Sequence, residues 1–391
     1  MQGTEQATEF DPLAAPSKAG QTNTPHATET LTETDRLMTV CNSCRYCEGL
    51  CAVFPAMEMR RAFSDGDLNY LANLCHSCGA CYDDCQFSPP HPFDVNVPRV
   101  MAEARAESYR HYAWPSAFSG LFARNGLAVS VIAALSVFVF IAGFVGWHDP
   151  AVLFGVHTGP GAFYALMPHN TMVVIFGAVF LYAILALIMG VRAFWRDITD
   201  PADSAADAGS VWQAVKDAGH LRYLDGGGAG CTNGEETATD TRRMYHHFTF
   251  YGFLLCFAAT SVATLYHYLL GREAPYPWYD LPVLLGIAGG VGLLIGPAGL
   301  LAAKWRRDPV IQDEARFGME VAFLAMLFLT SLTGLALLVL RDTGAMGLLL
   351  ALHLGVVFSL FFTMPYGKFV HGIYRFVALV RYAKESRAAG H

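Results

Sequence analysis

With 391 residues the chain has room for more than one domain. Apolar residues make up 53% of it and charged residues only 15%, where soluble domains run near a quarter charged, so an ordinary soluble fold is excluded. A net charge of −7 gives no sign of nucleic-acid binding.

Residues 1–35 are rich in Thr, Ala, Glu, Gln and Pro, lack an apolar signal core, and read as a disordered tail. Residues 36–110 form a polar region holding eight of the ten cysteines. With no secretion signal these thiols are expected to stay reduced and bind metal rather than pair as disulfides. Short helices are expected at 65–73 and 97–109. No period-two alternation appears anywhere, which argues against sheet.

Cys41, Cys44, Cys47 and Cys51 follow C-x2-C-x2-C-x3-C, and Cys75, Cys78, Cys81 and Cys85 repeat it. Three thiolates two residues apart wrap one face of a [4Fe–4S] cubane, while the fourth reaches the neighbouring cluster. The expected ligands are therefore Cys41, Cys44, Cys47 and Cys85 for one cluster and Cys75, Cys78, Cys81 and Cys51 for the other. Two zinc sites are the alternative, but zinc modules usually pair C-x2-C units across a longer gap. Pro55 and Pro89 stand four residues after the last cysteine of each run, not directly after it as in the common ferredoxin pattern. Cys256 reads as membrane packing and Cys231 as a free thiol in a loop.

From residue 126 onward the chain turns apolar, in six stretches each long enough to cross a bilayer. They are 126–147, 171–191, 247–270, 281–303, 319–340 and 346–367. Glu320 sits at one end of its stretch, and His353 is the one ionisable residue well inside any of them. Connections 148–170, 271–280 and 341–345 hold only Arg272 and Arg341 as basic residues. The alternate connections hold Arg192, Arg196, Lys216, Arg222, Arg242 and Arg243, then Lys304, Arg306, Arg307 and Arg316. This alternation places both termini and the cysteine region in the cytoplasm, with the bundle in a cell inner membrane. The expected architecture is all-α: a helical ferredoxin-type domain at 36–110, a transmembrane bundle at 111–375 and a cytoplasmic tail at 376–391.

Histidines supply a second candidate redox site. His353 and His371 are five helical turns apart, roughly 27 Å along a continuous axis, and would share one face. The third stretch runs oppositely, with His246 and His247 at its cytoplasmic start and His267 near its outer end. By depth, His267 should meet His353, and His246 or His247 should meet His371. Opposed imidazoles on two helices are how a bundle holds haem b, here one or two. His246 lies about 60° and His247 about 160° from the face of His267, at roughly 100° per residue, which favours His246. His148, His157 and His169 read as loop residues.

The doubled cysteine motif, LDGGGAGCTNGEE…RRMYHHFTFYGFLLCFAAT at 224–260 and LHLGVVFSLFFTMPYGKFVHGIYR at 352–375 together resemble the tricarballylate-utilisation (citrate-utilisation) protein B family over residues 36–385. The cysteine region is similar to the all-helical ferredoxin module of respiratory enzyme subunits. The last stretch also resembles the gamma subunit of respiratory nitrate reductases, which implicates His353 and His371 as haem ligands. The family resemblance implies an electron-transfer protein that reoxidises the FAD of a separate dehydrogenase, tricarballylate dehydrogenase, and passes electrons to membrane quinone. The chain shows no G-x-G-x-x-G after a strand, and its glycines at 226–228 read as a flexible loop, which fits a flavoprotein partner. Lys368 and Arg375, near His371, are the residues to consider for quinone. Two other readings are a subunit of a heterodisulfide- or sulfite-reductase-like complex, and a transporter with a regulatory metal domain, broken at 286–299 around Pro297.

Overall fold

A computed structural model describes residues 25–200, 205–232 and 238–390. Among them the chain is helical, with a single isolated bridge between Cys231 and Thr239. The polar N-terminal part holds α1 (Glu29–Cys44), α2 (Val53–Glu58), α3 (Asp65–Leu74), α4 (Ala80–Asp83) and α5 (Val97–His111). Local chemistry explains where they start. Thr28 caps α1 through its hydroxyl, Ser64 and Asp67 form a capping box on α3, and Asn96 caps α5 just ahead of Pro98. The expected tail to residue 35 is too long: residues 29–35 are helical, and Thr34 and Asp35 are buried. The part of that expectation covering residues 1–24 lies outside the described residues.

The membrane half holds α6 (Asn125–Trp147), α7 (Pro150–Leu153), α8 (His169–Ile198), α9 (Ala208–Gly219), α10 (Thr241–Leu270), α11 (Leu281–Arg306), α12 (Phe317–Leu340), α13 (Met346–Thr363) and α14 (Val370–Ala388). Six of these, α6, α8, α10, α11, α12 and α13, are long and apolar enough to span a bilayer. Leu127, Phe138, Val139 and Leu181 are among the large apolar side chains left exposed on them, as a lipid-facing surface requires. The six match the expected stretches. However, α8 and α10 run one to two turns further on their basic ends, where polar residues continue the helix beyond the apolar core.

Two expectations are corrected. The glycine-rich stretch of α11 is not a break. The helix runs continuously through Pro297, and its glycines let α10 approach: a Cβ on Gly289 would meet the Gly252 carbonyl oxygen at 2.7 Å. Conversely, His353 and His371 do not share a continuous helix. Pro365 sits in a 3-10 turn over Met364–Tyr366, Gly367 is extended, and α14 starts afresh at Val370.

The expected division at 110/111 is not a gap in packing. One apolar core runs from Leu37, Phe54 and Tyr70 through Tyr109 to Phe194, Met364 and Tyr374. The expected tail from 376 is likewise built in, because α14 packs on α9 and α3. Arg60, Arg381, Asp67 and Glu385 form an ion-pair network tying α14 to the N-terminal helices, with both guanidiniums over the Tyr70 ring.

Candidate metal centres

Cys41 and Cys44 lie in the last turn of α1. Arg45 ends that helix in the left-handed region (φ 57) and turns the chain so that Cys47 and Cys51 follow in a tight loop. The second run begins at the end of α3 and passes left-handed Ser77 (φ 47) and Gly79 (φ 94) before Cys81 enters α4. Cys41, Cys44, Cys47 and Cys85 line one cavity of about 240 Å³, with Cys81, Phe54 and Phe87 among its other walls. Burial pushes the Cys41 and Cys47 thiols up to about 12, reinforced by the charges of Cys85 and Cys44 on both and of Cys47 on Cys41. Cys51 belongs electrostatically to the other group: burial raises it, followed by Cys78 and Cys75. Cys81 is raised by burial and then by Cys78, Cys75 and Cys51. The fourth cysteine of each run therefore sits with the first three of the other.

Sulfurs held this far from ionising become thiolates only against a cationic centre. Among the described residues, no three His, Cys, Asp or Glu side chains converge on a point fit for one metal ion. The first quartet instead rings a cavity, a better match to a cubane than to a single tetrahedral zinc.

The second quartet is covered and underpinned. The glycine-rich turn at 226–228 is not a free loop but a fitted cover: Gly227 (φ 77) faces Leu50, and Gly226 faces Ala80. Thr232 donates its backbone N–H to the Cys78 carbonyl at 3.1 Å. Cys231, expected as a loop thiol, is fully buried against Cys78 and Ala80, with its Sγ toward the Leu224 carbonyl. Beneath the quartet, four arginines grip the backbone of one loop. Arg105 and Arg375 donate to the Cys75 carbonyl at 2.6 and 2.7 Å. Arg242 and Arg307 donate to the Ser77 carbonyl, each at 2.6 Å. Three of these, Arg105, Arg242 and Arg307, escape a reading of the sequence. Arg242 and Arg307 register there only as topology markers, although their place beside the basic helix ends was the available signal.

The histidines fall into three settings. His246 and His371 face each other with ring centres 6.1 Å apart, and Phe323 stands 6.4 Å from His371. His371 Nδ1 is engaged by the Lys368 carbonyl, which orients Nε2 for a ligand. Burial, then Lys368 and Arg375, pulls the His371 imidazole well below its usual range, so it stays neutral, the form that ligates metal. Buried His246 Nδ1 has no hydrogen-bond partner among the described residues. The two rings lie at 71° to one another and are the buried histidine pair available to a ligand. His247 stacks on Tyr251 and takes no part.

His267 and His353, expected as the outer pair, each have another neighbour. His267 stacks on His169 with centres 3.8 Å apart, and His353 Nδ1 lies 3.0 Å from the Thr333 hydroxyl. Depth explains this: His267 is one turn from the end of α10, whereas His353 is two turns into α13, a mismatch of about 6 Å at the helical rise. His169, taken from sequence as a loop residue, opens α8. Lys368 bridges Glu320, as does Lys304, and Arg375 is committed to the Cys75 loop.

The family model for Citrate utilization protein B matches residues 120–391, and the model for its Fer4-like domain matches residues 34–111. The chain is 50% identical over 366 residues to a Citrate utilization protein B of Escherichia coli, covering 92% of this chain and 94% of that relative. No solved structure shows significant similarity. A Fer4-like cysteine domain ahead of six membrane-length helices makes this an iron–sulfur, multi-pass membrane protein with an electron-transfer role. The chain belongs to the citrate utilization protein B family.

Proposed function

We infer that the protein takes electrons from the reduced FAD of a partner dehydrogenase at the cytoplasmic face of the inner membrane and delivers them to quinone. The dehydrogenase is of the tricarballylate-oxidising kind. Cys41, Cys44, Cys47 and Cys85 would hold one [4Fe–4S] cluster, Cys51, Cys75, Cys78 and Cys81 a second, and His246 with His371 a haem b. Bound there, these groups supply one-electron carriers that divide the two electrons of a reduced flavin into single transfers.

The chain's own residues do the rest. Cys44 and Tyr46 (73% exposed) put the first quartet at the surface, where a flavoprotein can approach. The arginines anchor the second quartet to the bundle, and α14 carries both Arg375, on the Cys75 loop, and His371, on the haem pair. The single observation that carries this reading is that continuity: thiol quartet, thiol quartet and histidine pair follow one another from the surface into the bundle. A single haem, at the inner pair, is the count supported by these positions.

The test is anaerobic stopped-flow of the dithionite-reduced, purified protein in vesicles containing a quinone. Rapid reoxidation of the visible bands supports the reading. Reoxidation no faster than in quinone-free vesicles would remove quinone as the acceptor.

A further inference from the structure

The arginine cradle does more than hold the domain down. Arg105 comes from α5, Arg242 from α10, Arg307 from the end of α11 and Arg375 from α14, and all four donate to the backbone around Cys75–Ser77. Among the described residues none of them has a carboxylate within ion-pair distance. Glu320 acts on Arg105 and Arg307 but is itself bridged by Lys304 and Lys368. Four guanidiniums thus gather at the floor of the second quartet, with the Lys304–Glu320–Lys368 group acting on two of them from behind. Burial brings the Arg307 guanidinium down to about 10, and its neighbour Arg242 pushes the same way. Buried like charges without an anion are costly, so the floor is built for an anionic group. A cubane with four thiolates is such a group.

The surroundings of the first quartet differ: they set the guanidinium of exposed Arg45 among several carboxylates. Asp84 lines its cavity and adds to the charges opposing the Cys47 thiolate, Asp83 and Glu48 are exposed nearby in the chain, and Cys44 faces solvent.

We propose that the arginine cradle makes the cluster of Cys51, Cys75, Cys78 and Cys81 the higher-potential one, drawing electrons inward from the cluster of Cys41, Cys44, Cys47 and Cys85. A cluster gains one negative charge on reduction, and fixed cations beside it stabilise that reduced form. Burial opposes this by disfavouring the more highly charged state. Four guanidiniums bonded to the ligand-bearing backbone outweigh that opposition, because they are already desolvated and oriented. The step is a single electron transfer: the outer cluster is oxidised, the inner one reduced, and no bond forms or breaks. The electron comes from the reduced flavin of the partner. Arg105, Arg242, Arg307 and Arg375 are positioning residues in this account.

The inference rests on the two-cluster reading above, and iron content separates the two: too little iron defeats that reading, whereas full iron with the wrong order of potentials defeats only this one. The experiment is an EPR-monitored potentiometric titration of the full-length protein in detergent. Cys78→Ser assigns which signal belongs to the second quartet. In the wild type that signal should be reduced first. Arg307→Gln and Arg242→Gln should each shift its reduced-to-oxidised ratio at fixed poise at least tenfold toward oxidised, about 59 mV for one electron. The other cluster should hold still, and Arg307→Lys, which keeps the charge, should shift much less. If a Gln variant loses its iron, the wild-type order and the Lys variant still decide. The proposal is overturned if the first quartet is reduced first, if both midpoints move together or neither moves, or if only a haem band shifts. The last result would assign the cations to haem carboxylates.

Discussion

His246 and His371 approach as two opposed ligands would, while His267 and His353 each find another neighbour. His246→Ala and His371→Ala should therefore each abolish the same b-type absorption band, with the cluster EPR signals kept. His353→Ala should leave that band in place; its loss there, with both inner variants unchanged, would move the haem to the outer site. Glu320 offers a stability test at the same scale. It bridges Lys304 and Lys368 where both are mostly buried. Glu320→Gln should cost about 3 kcal/mol, because removing one partner leaves buried charge uncompensated. Thermal unfolding in detergent measures it, and an unchanged Tm would show that the lysines find other partners. The two cysteine runs were legible from sequence because spacing within each eleven-residue run is local, and Cys85 lines the cavity of Cys41, Cys44 and Cys47 as the crossed pattern expects. The histidine pairing was only half legible. It depends on relative depth and on where a helix ends, and neither is written in residue spacing.

At the scale of elements, apolar runs and charge breaks announced the six spans and the helices at 65–73 and 97–109. The break between α13 and α14 was harder to see, since apolar sequence continues across Pro365 and the turn shows only as a Pro and a Gly two residues apart. Helix α14 is held partly by Asp67. Burial works to raise that carboxyl, but hydrogen bonds from Arg60 and Ser64 and the charges of Arg60 and Arg381 bring it down to about 2. A depressed folded pKa means stability present above the unfolded value near 4 and lost as pH falls through about 2. Asp67→Asn should thus cost about 2 kcal/mol at neutral pH and nothing further in strong acid. Faster protease cleavage within α14 of the variant at pH 7 would report it; cleavage equal to wild type would show that Glu385 alone holds the helix. Gly79 makes a second test. Its φ of 94 and the Thr232 carbonyl oxygen 2.7 Å from where a Cβ would lie leave no room for a side chain. Gly79→Ala should strain the loop by about 2 kcal/mol and loosen the 226–232 cover. The second cluster's signal should then be lost selectively during purification; equal retention of both would count against the cover's role.

At the scale of the whole molecule, the cysteine region and the bundle share one core rather than meeting at a linker. Polar sequence at 36–110 beside apolar sequence after 126 suggested two bodies. The residues that join them, Tyr109, Phe194 and Tyr374, are single aromatics scattered over the chain, so composition averages conceal them. The alternation of basic connections is the ground for the proposed orientation. A reporter fused after residue 391 should behave as cytoplasmic and one inserted near Gly155 as external; the reverse pattern would put the flavin donor on the wrong side. The most direct test of the central claim is anaerobic iron and acid-labile sulfide analysis of the purified protein, read with its visible spectrum before and after dithionite. The account predicts about eight cluster irons and as many sulfides per chain, plus one haem b band that sharpens on reduction. Stoichiometric zinc without labile sulfide, or an iron count near four, would contradict it.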